Sequence, residues 1–164
     1  MPRFERGESV KLINRETAAI RIQQLRMDVH GGTAHFLLNY SDMNTTDPVF
    51  GNLQTGKLRL EPKLEGEGIA VSAHMVVLLD PEPTTGTYLV ALEDVLGVGR
   101  TKLSPFLTSE FRAVSDFPFR DIDDQIKRSR PVVEILGRPS QQLRDDLNAG
   151  RLSEIELLTR AANR

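Results

Sequence analysis

The chain contains no cysteine among its 164 residues. That absence removes disulfides, thiolate zinc sites, iron–sulfur clusters and cysteine nucleophiles together. Tryptophan is also missing, and only seven Phe and two Tyr remain. A surface that stacks the bases of single-stranded nucleic acid would have few rings to draw on. No apolar run approaches the ~20 residues of a membrane helix, and the longest, at residues 73–79, is interrupted by His74. Neither sign of charge dominates, since 21 basic groups face 23 acidic ones. The opening residues MPRFERGES include no apolar segment of the secretory kind. The expectation is a cytoplasmic chain with no membrane partner.

What remains is a globular composition, 39% apolar and 27% charged, on a length that suits one domain with a proper core. The reading is a single α+β domain over residues 1–164. The chain stops at Arg160-Ala161-Ala162-Asn163-Arg164, directly after an apolar element, so a fragment of a longer protein is also expected. Charge is unevenly spread. Residues 33–94 carry three basic and nine acidic groups, and residues 95–130 carry seven and five. The second stretch is therefore the one in which to look for contacts to phosphate, although the asymmetry is too small to imply nucleic acid alone.

Period-2 alternation is the main structural signal. Ala18, Ile20 and Ile22 share one phase, and Leu25, Met27 and Val29 share the other. The slip at Gln23-Gln24 reads as a β-bulge. Gly31-Gly32 then turns the chain into a returning strand marked by Ala34, Phe36, Leu38 and Tyr40, which predicts a hairpin of residues 17–29 and 33–42. Residues 41–68 are punctuated by Gly, Pro, Asn and Asp and read as a long excursion with one short strand at residues 57–60. Such segments are often functional or mobile. Residues 69–79 form the clearest strand, a central one, with Val71, Met75 and Val77 expected in the core. A further strand follows at residues 87–92. Leu103, Phe106, Leu107 and Phe111 recur at helical spacing within residues 95–111, where Pro105 fits only a first turn or a kink. Residues 121–130 read as a short polar helix and 131–136 as a strand. Ser140 reads as the cap of a helix burying Leu143 and Leu147 and stopping at Gly150, and residues 152–158 as a last strand or helix. The sum is a mainly antiparallel sheet of five or six strands with two or three helices.

The most motif-like stretch is Gly97-Val98-Gly99-Arg100-Thr101-Lys102-Leu103. Two glycines ahead of a helix free backbone N–H groups for an anion, and Arg100 and Lys102 add full charge beside the helix dipole. Leu96-Gly97-Val98-Gly99 with Leu103 resembles the hairpin of the helix-hairpin-helix DNA-binding family. That likeness implies backbone amides contacting phosphate without reading sequence. It covers at most about 25 residues. It departs in having Leu96 where the family has a proline, and in following a strand-like element. A dinucleotide fingerprint fails, because Lys102 stands at the third glycine, and no Gly-Lys-Ser/Thr makes a Walker loop. The plainer reading is an ordinary strand-to-helix turn.

A second basic cluster, Lys127, Arg128 and Arg130, offers nonspecific phosphate contacts. Asp121, Asp123 and Asp124 lie just upstream and either neutralise it or offer carboxylates to magnesium. Glu61-Pro62-Lys63 is the sole Glu-x-Lys of a nuclease pattern and has a proline in its middle. His30, His35 and His74 form no metal motif, although His35 and His74 fall on neighbouring strands. No Gly-x-Ser-x-Gly is present. Paired carboxylates of the glycosidase kind are a matter of space and not of spacing.

The function expected first is a non-enzymatic interaction module, without cofactor or metal, in a bacterial or mobile-element system. It would bind nucleic acid through Gly97, Gly99, Arg100, Lys102, Lys127, Arg128 and Arg130, or else a protein partner. Two alternatives stand beside it. One is an enzyme on a phosphate-containing substrate, a metal-dependent nuclease or phosphoesterase, with Asp121, Asp123, Asp124, His35 or His74 as its groups. The other is a structural or assembly subunit. If phosphate is the target, Arg100→Ala with Lys102→Ala weakens binding to unrelated sequences equally. The log–log salt slope then becomes shallower by roughly 0.9 per lost contact on duplex DNA, as read by fluorescence anisotropy at several salt concentrations.

Overall fold

The computed structural model describes residues 3–115, 117–128 and 130–138, with Asp145 and Ala149. The chain divides into two compact units, Met1–Glu134 and Ile135–Arg164. In the second, residues 135–138 lie outside regular structure and the Ala149 N–H donates to the Asp145 carbonyl. The helix expected after Ser140, with Leu143, Leu147 and Gly150, and the element at 152–158 lie outside the described residues.

The first unit is built on a five-stranded antiparallel sheet. Its strands are β1 (Val10–Ile13), β2 (Ala18–Asp28), β3 (Thr33–Asp42), β6 (Ile69–Leu78) and β7 (Val90–Leu92), in spatial order β1-β2-β3-β6-β7. A ribbon of β4 (Val49–Gly51) and β5 (Leu58–Leu60) interrupts it between β3 and β6, and a second ribbon of β8 (Pro118–Arg120) and β9 (Ile126–Arg128) follows α1 (Arg100–Val114). The fold is thus mostly sheet with one helix among the described residues, where two or three were expected.

The expected hairpin is present, with Ala18 opposite Asp42 and Asp28 opposite Thr33. Its register shifts between Ile22 and Gln24. Because side chains alternate, that one-residue slip puts Leu25 and Met27 on the face that already carries Ile20 and Ile22. Residues opposite one another on adjacent strands share a face, so the same face holds the row Ile22, Leu38, Ala73 and the row Leu25, Phe36, Met75, Leu92. Leu103, Phe106 and Leu107 of α1 are buried together with Ile20, Leu38, Ala73 and Met75. Lys11, on the same face, donates to the Pro105 carbonyl at 3.0 Å. The helix therefore covers this face and leaves the other open. Met75 is 2% exposed, whereas Val71 and Val77, expected beside it in the core, are only half-buried. Phe111, expected on the buried stripe, is exposed.

Four other elements differ from expectation for local reasons. Gly97 at φ +95 and the extended Gly99, at φ −128 and ψ 170, keep the helix from starting before Arg100, and Pro105 lies in the second turn, beyond the first-turn position that spares a hydrogen bond. The element before the glycines is β7, so the two-helix frame of a helix-hairpin-helix is not formed. Residues 121–128, within the stretch 121–130 read as a polar helix, fold as the turn and second strand of the β8–β9 ribbon. The Asp121 carboxylate accepts the N–H groups of Asp123 and Gln125, and Asp124 sits at φ +59, the side-chain turn that competes with helix. Residues 131–136 form no strand. Thr108 and Arg112 of α1 bond the backbone of Val133 and Pro131, meeting groups that a ladder would otherwise have used. Substituting Met75 by alanine should cost about 2–4 kcal/mol in urea unfolding, and a loss below about 0.5 would place β6 outside the core.

Candidate functional site

The Gly97–Lys102 turn is tied to the sheet through Tyr40. Gly97 lies against the Tyr40 ring, where a Cβ would come within 2.9 Å of a ring carbon, and its φ of +95 disfavours any side chain. The Lys102 ammonium donates to the Gly97 carbonyl at 2.9 Å and stands 4.0 Å from the Tyr40 ring centroid. The Tyr40 hydroxyl donates to the Asp42 carboxylate at 2.8 Å. Burial, then this bonded carboxylate, pushes the Tyr40 hydroxyl above its ordinary pKa. The Asn44 backbone N–H and then the Tyr40 hydroxyl hold Asp42 below the usual carboxylate range, with a smaller pull from Lys102. Lys102 is thus consumed by a cation–π contact and a loop carbonyl. Gly99 caps the helix without a side-chain bond, and Arg100 projects exposed beside it.

The second basic cluster is divided between partners. Lys127 is ion-paired with Asp121, and Arg120 with Asp124 at 2.7 Å. The Lys127 bond, and the Gln125 and Asp123 N–H groups, hold the Asp121 carboxyl below its usual range. Arg128 and Arg130 are exposed on the same ribbon and its exit. The seven residues expected to touch phosphate therefore fall in two places, the α1 start and the β8–β9 ribbon, with charge largely compensated in the second.

His35 and His74 do come onto one face. His35 lies opposite Val76, two residues along from His74, so the two are diagonal cross-strand neighbours on the open side of the sheet. His35 bonds the Thr33 hydroxyl, and His74 Nδ1 lies 2.9 Å from Glu93. The His74 backbone N–H, then its ring, hold Glu93 below the usual range. Among the described residues no three His, Cys, Asp or Glu are grouped to hold a metal ion. Asp121, Asp123 and Asp124 belong to the β8–β9 turn and are not placed with the histidines by any bond or register.

The open face has a different neighbour. Between β3 and β6 the excursion, residues 43–68, folds back beside the strand ends and leaves a groove of about 640 Å³. Its floor carries Ala19, Arg21, Asn39 and Ser41, and its walls include Pro48, Glu61, Lys63 and Gly68. Lys63 closes the excursion on itself. Its ammonium bonds the carbonyls of Met43, at 2.9 Å, and Thr45, and stands 3.7 Å from Asp47. Gly68 lets the returning chain lie on Asp42, where a Cβ would come within 2.6 Å of its backbone. One further wall is strained. Asn14, Arg15 and Glu16 are consecutive residues in the left-handed region, at φ +53, +57 and +69.

Above the groove the excursion raises the β4–β5 ribbon. Val49, Phe50, Leu58 and Leu60 on its strands, and Leu53 at its tip, are all more than half exposed, Leu53 fully. Arg59 lies over the Phe50 ring at 4.8 Å. Sequence reasoning located the excursion and its short second strand but not this surface. The readable signal was the presence of five large apolar residues in a segment punctuated as loop. Comparison of the chain with protein-family models, with curated proteins and with solved structures gives no match.

The Lys102 contacts carry a prediction. Lys102→Met, which keeps length and removes charge, should lower stability by about 1–2 kcal/mol, whereas Arg100→Ala should leave it within about 0.5. Chemical unfolding of both variants checks this, and equal stability of Lys102→Met and the parent would show the contacts to be incidental.

Proposed function

We propose that this chain is a non-enzymatic protein-interaction module whose docking element is the β4–β5 ribbon. One observation carries the reading. The ribbon presents large apolar side chains to solvent on strands that no third strand flanks among the described residues. A two-stranded ribbon is marginally stable alone, and large apolar side chains gathered in the open on one short element suit a contact site. Strand edges add a second means of attachment, since unpaired N–H and C=O groups accept an added strand. The phosphate reading receives less support, because Lys102 and Lys127 have partners within the chain. The enzyme reading receives less again, because His35, His74 and the Asp121–Asp124 turn are not gathered in one cleft.

The test is site-specific cross-linking in the native host, with a photoreactive residue at Leu60 and, as control, at the fully exposed Ile122 of the β8–β9 turn. The reading expects protein adducts at position 60 well above those at 122. Adducts to nucleic acid at Arg100 or Arg130, with none to protein at 60, would overturn it.

A further inference from the structure

Among the described residues the β5 strand has one partnered edge and one free edge, and their phase can be read. The Glu61 N–H donates to the Pro48 carbonyl at 3.0 Å and the Asn52 N–H to the Lys57 carbonyl at 2.9 Å. Within the same ladder Phe50 lies opposite Arg59. Hydrogen-bonded and non-hydrogen-bonded pairs alternate along an antiparallel ladder. Residues 57, 59 and 61 therefore turn their backbone groups toward β4, and Leu58 and Leu60 turn theirs outward. No described residue bonds the N–H or C=O of Leu58 or Leu60. Gly56, at φ +69, precedes this edge, and Pro62, which has no N–H, follows it. Only residues 57–61 are left to pair.

Those five residues, Lys57-Leu58-Arg59-Leu60-Glu61, complement themselves when reversed. An antiparallel copy centred on Arg59 sets Leu58 opposite Leu60 and Lys57 opposite Glu61. The two outward-facing leucines of each copy then exchange all four of their backbone bonds. Arg59 meets its own copy across the axis, but each guanidinium already lies over Phe50 and is ion-paired with Glu61. The edge of β4 offers nothing equivalent, since Val49-Phe50-Gly51-Asn52 carries no charge and follows Pro48. We infer that the partner of β5 is a second copy of this chain, joined edge to edge by antiparallel pairing about Arg59. This deepens the proposed function, resting on the ribbon as docking element and naming its occupant. The pairing is short, so the association is expected to be weak and reversible unless further surface joins it.

The absence of cysteine from the chain makes the register testable. Arg59 opposes its own copy in a non-hydrogen-bonded pair, where Cα atoms are about 4.5 Å apart, within the range a disulfide spans. Under mild oxidation the full-length Arg59→Cys protein should form covalent dimers several times faster than Leu58→Cys or Ile122→Cys. In sedimentation velocity over a concentration series, Lys57→Glu and Glu61→Lys should each weaken self-association by roughly tenfold. The double exchange, Lys57→Glu with Glu61→Lys, restores the opposite charges and should recover it. That recovery separates a register effect from misfolding. A parent protein monomeric throughout, or cross-linking at 58 as fast as at 59, would overturn the inference. A monomer that still gives adducts to a different protein at position 60 would overturn it while leaving the interaction module standing.

Discussion

A sheet has two faces, and among the described residues this one has a single helix to cover them. That constraint organises the first unit. Leu103, Phe106 and Leu107 can bury only the face that carries Ile20, Leu38, Ala73 and Met75. Next to the excursion the other face carries small, polar or charged side chains, Ala19, Arg21, Asn39 and Ser41, while Leu37 and Val76 farther along it are half-buried. The β2 bulge serves the same constraint by holding Leu25 on the covered side after the slip at Gln23. An antiparallel sheet tolerates this one-sided arrangement where a parallel one would not. The groove and the ribbon both lie outside the core, on material the helix does not reach.

Basic side chains near a glycine-rich turn invite a phosphate, and here geometry redirects them. Lys102 is long enough to fold back over its own turn. Tyr40 supplies a ring for it, Gly97 a carbonyl, and Asp42 a carboxylate that holds the Tyr40 hydroxyl in place. The charge of Lys102 fastens the helix start to β3. Asp121 acts similarly in the second ribbon, shaping the turn with two backbone bonds while pairing with Lys127. In both places the basic side chains that drew notice in the sequence also make structural contacts within the chain.

The strands of the main sheet were largely legible because alternation and burial agree along them. Residues 18–42 show it best, where the two phases, the bulge and the paired glycines all point to one hairpin. Legibility failed where side chains compete with backbone. The Asp121 carboxylate turned a polar segment into a ribbon, and Thr108 and Arg112 held residues 131–133 without a ladder. β1 escaped notice because Val10–Ile13 is short and its turn into β2 runs through Asn14, Arg15 and Glu16 in the left-handed region, with no glycine to mark it. The surroundings of the Gly97–Lys102 turn were half legible. The turn and the helix after it are present, but nothing in the spacing of Lys102 shows that Tyr40, sixty-two positions earlier, lies beneath its ammonium. The ribbon's apolar residues were visible as letters, yet their exposure depends on where the main sheet ends.

The register of β3 against β6 has a consequence for how this chain can vary. Asp42 lies directly opposite Ile69, so the excursion leaves the sheet and re-enters it at adjacent points. An insertion or deletion between them leaves every pair of the ladder untouched. The entropic cost of lengthening such a loop grows only with the logarithm of its length, about 0.6 kcal/mol for each doubling. The scaffold is therefore nearly indifferent to how long the excursion is. Whatever that segment contacts can change in reach without the sheet having to be rebuilt.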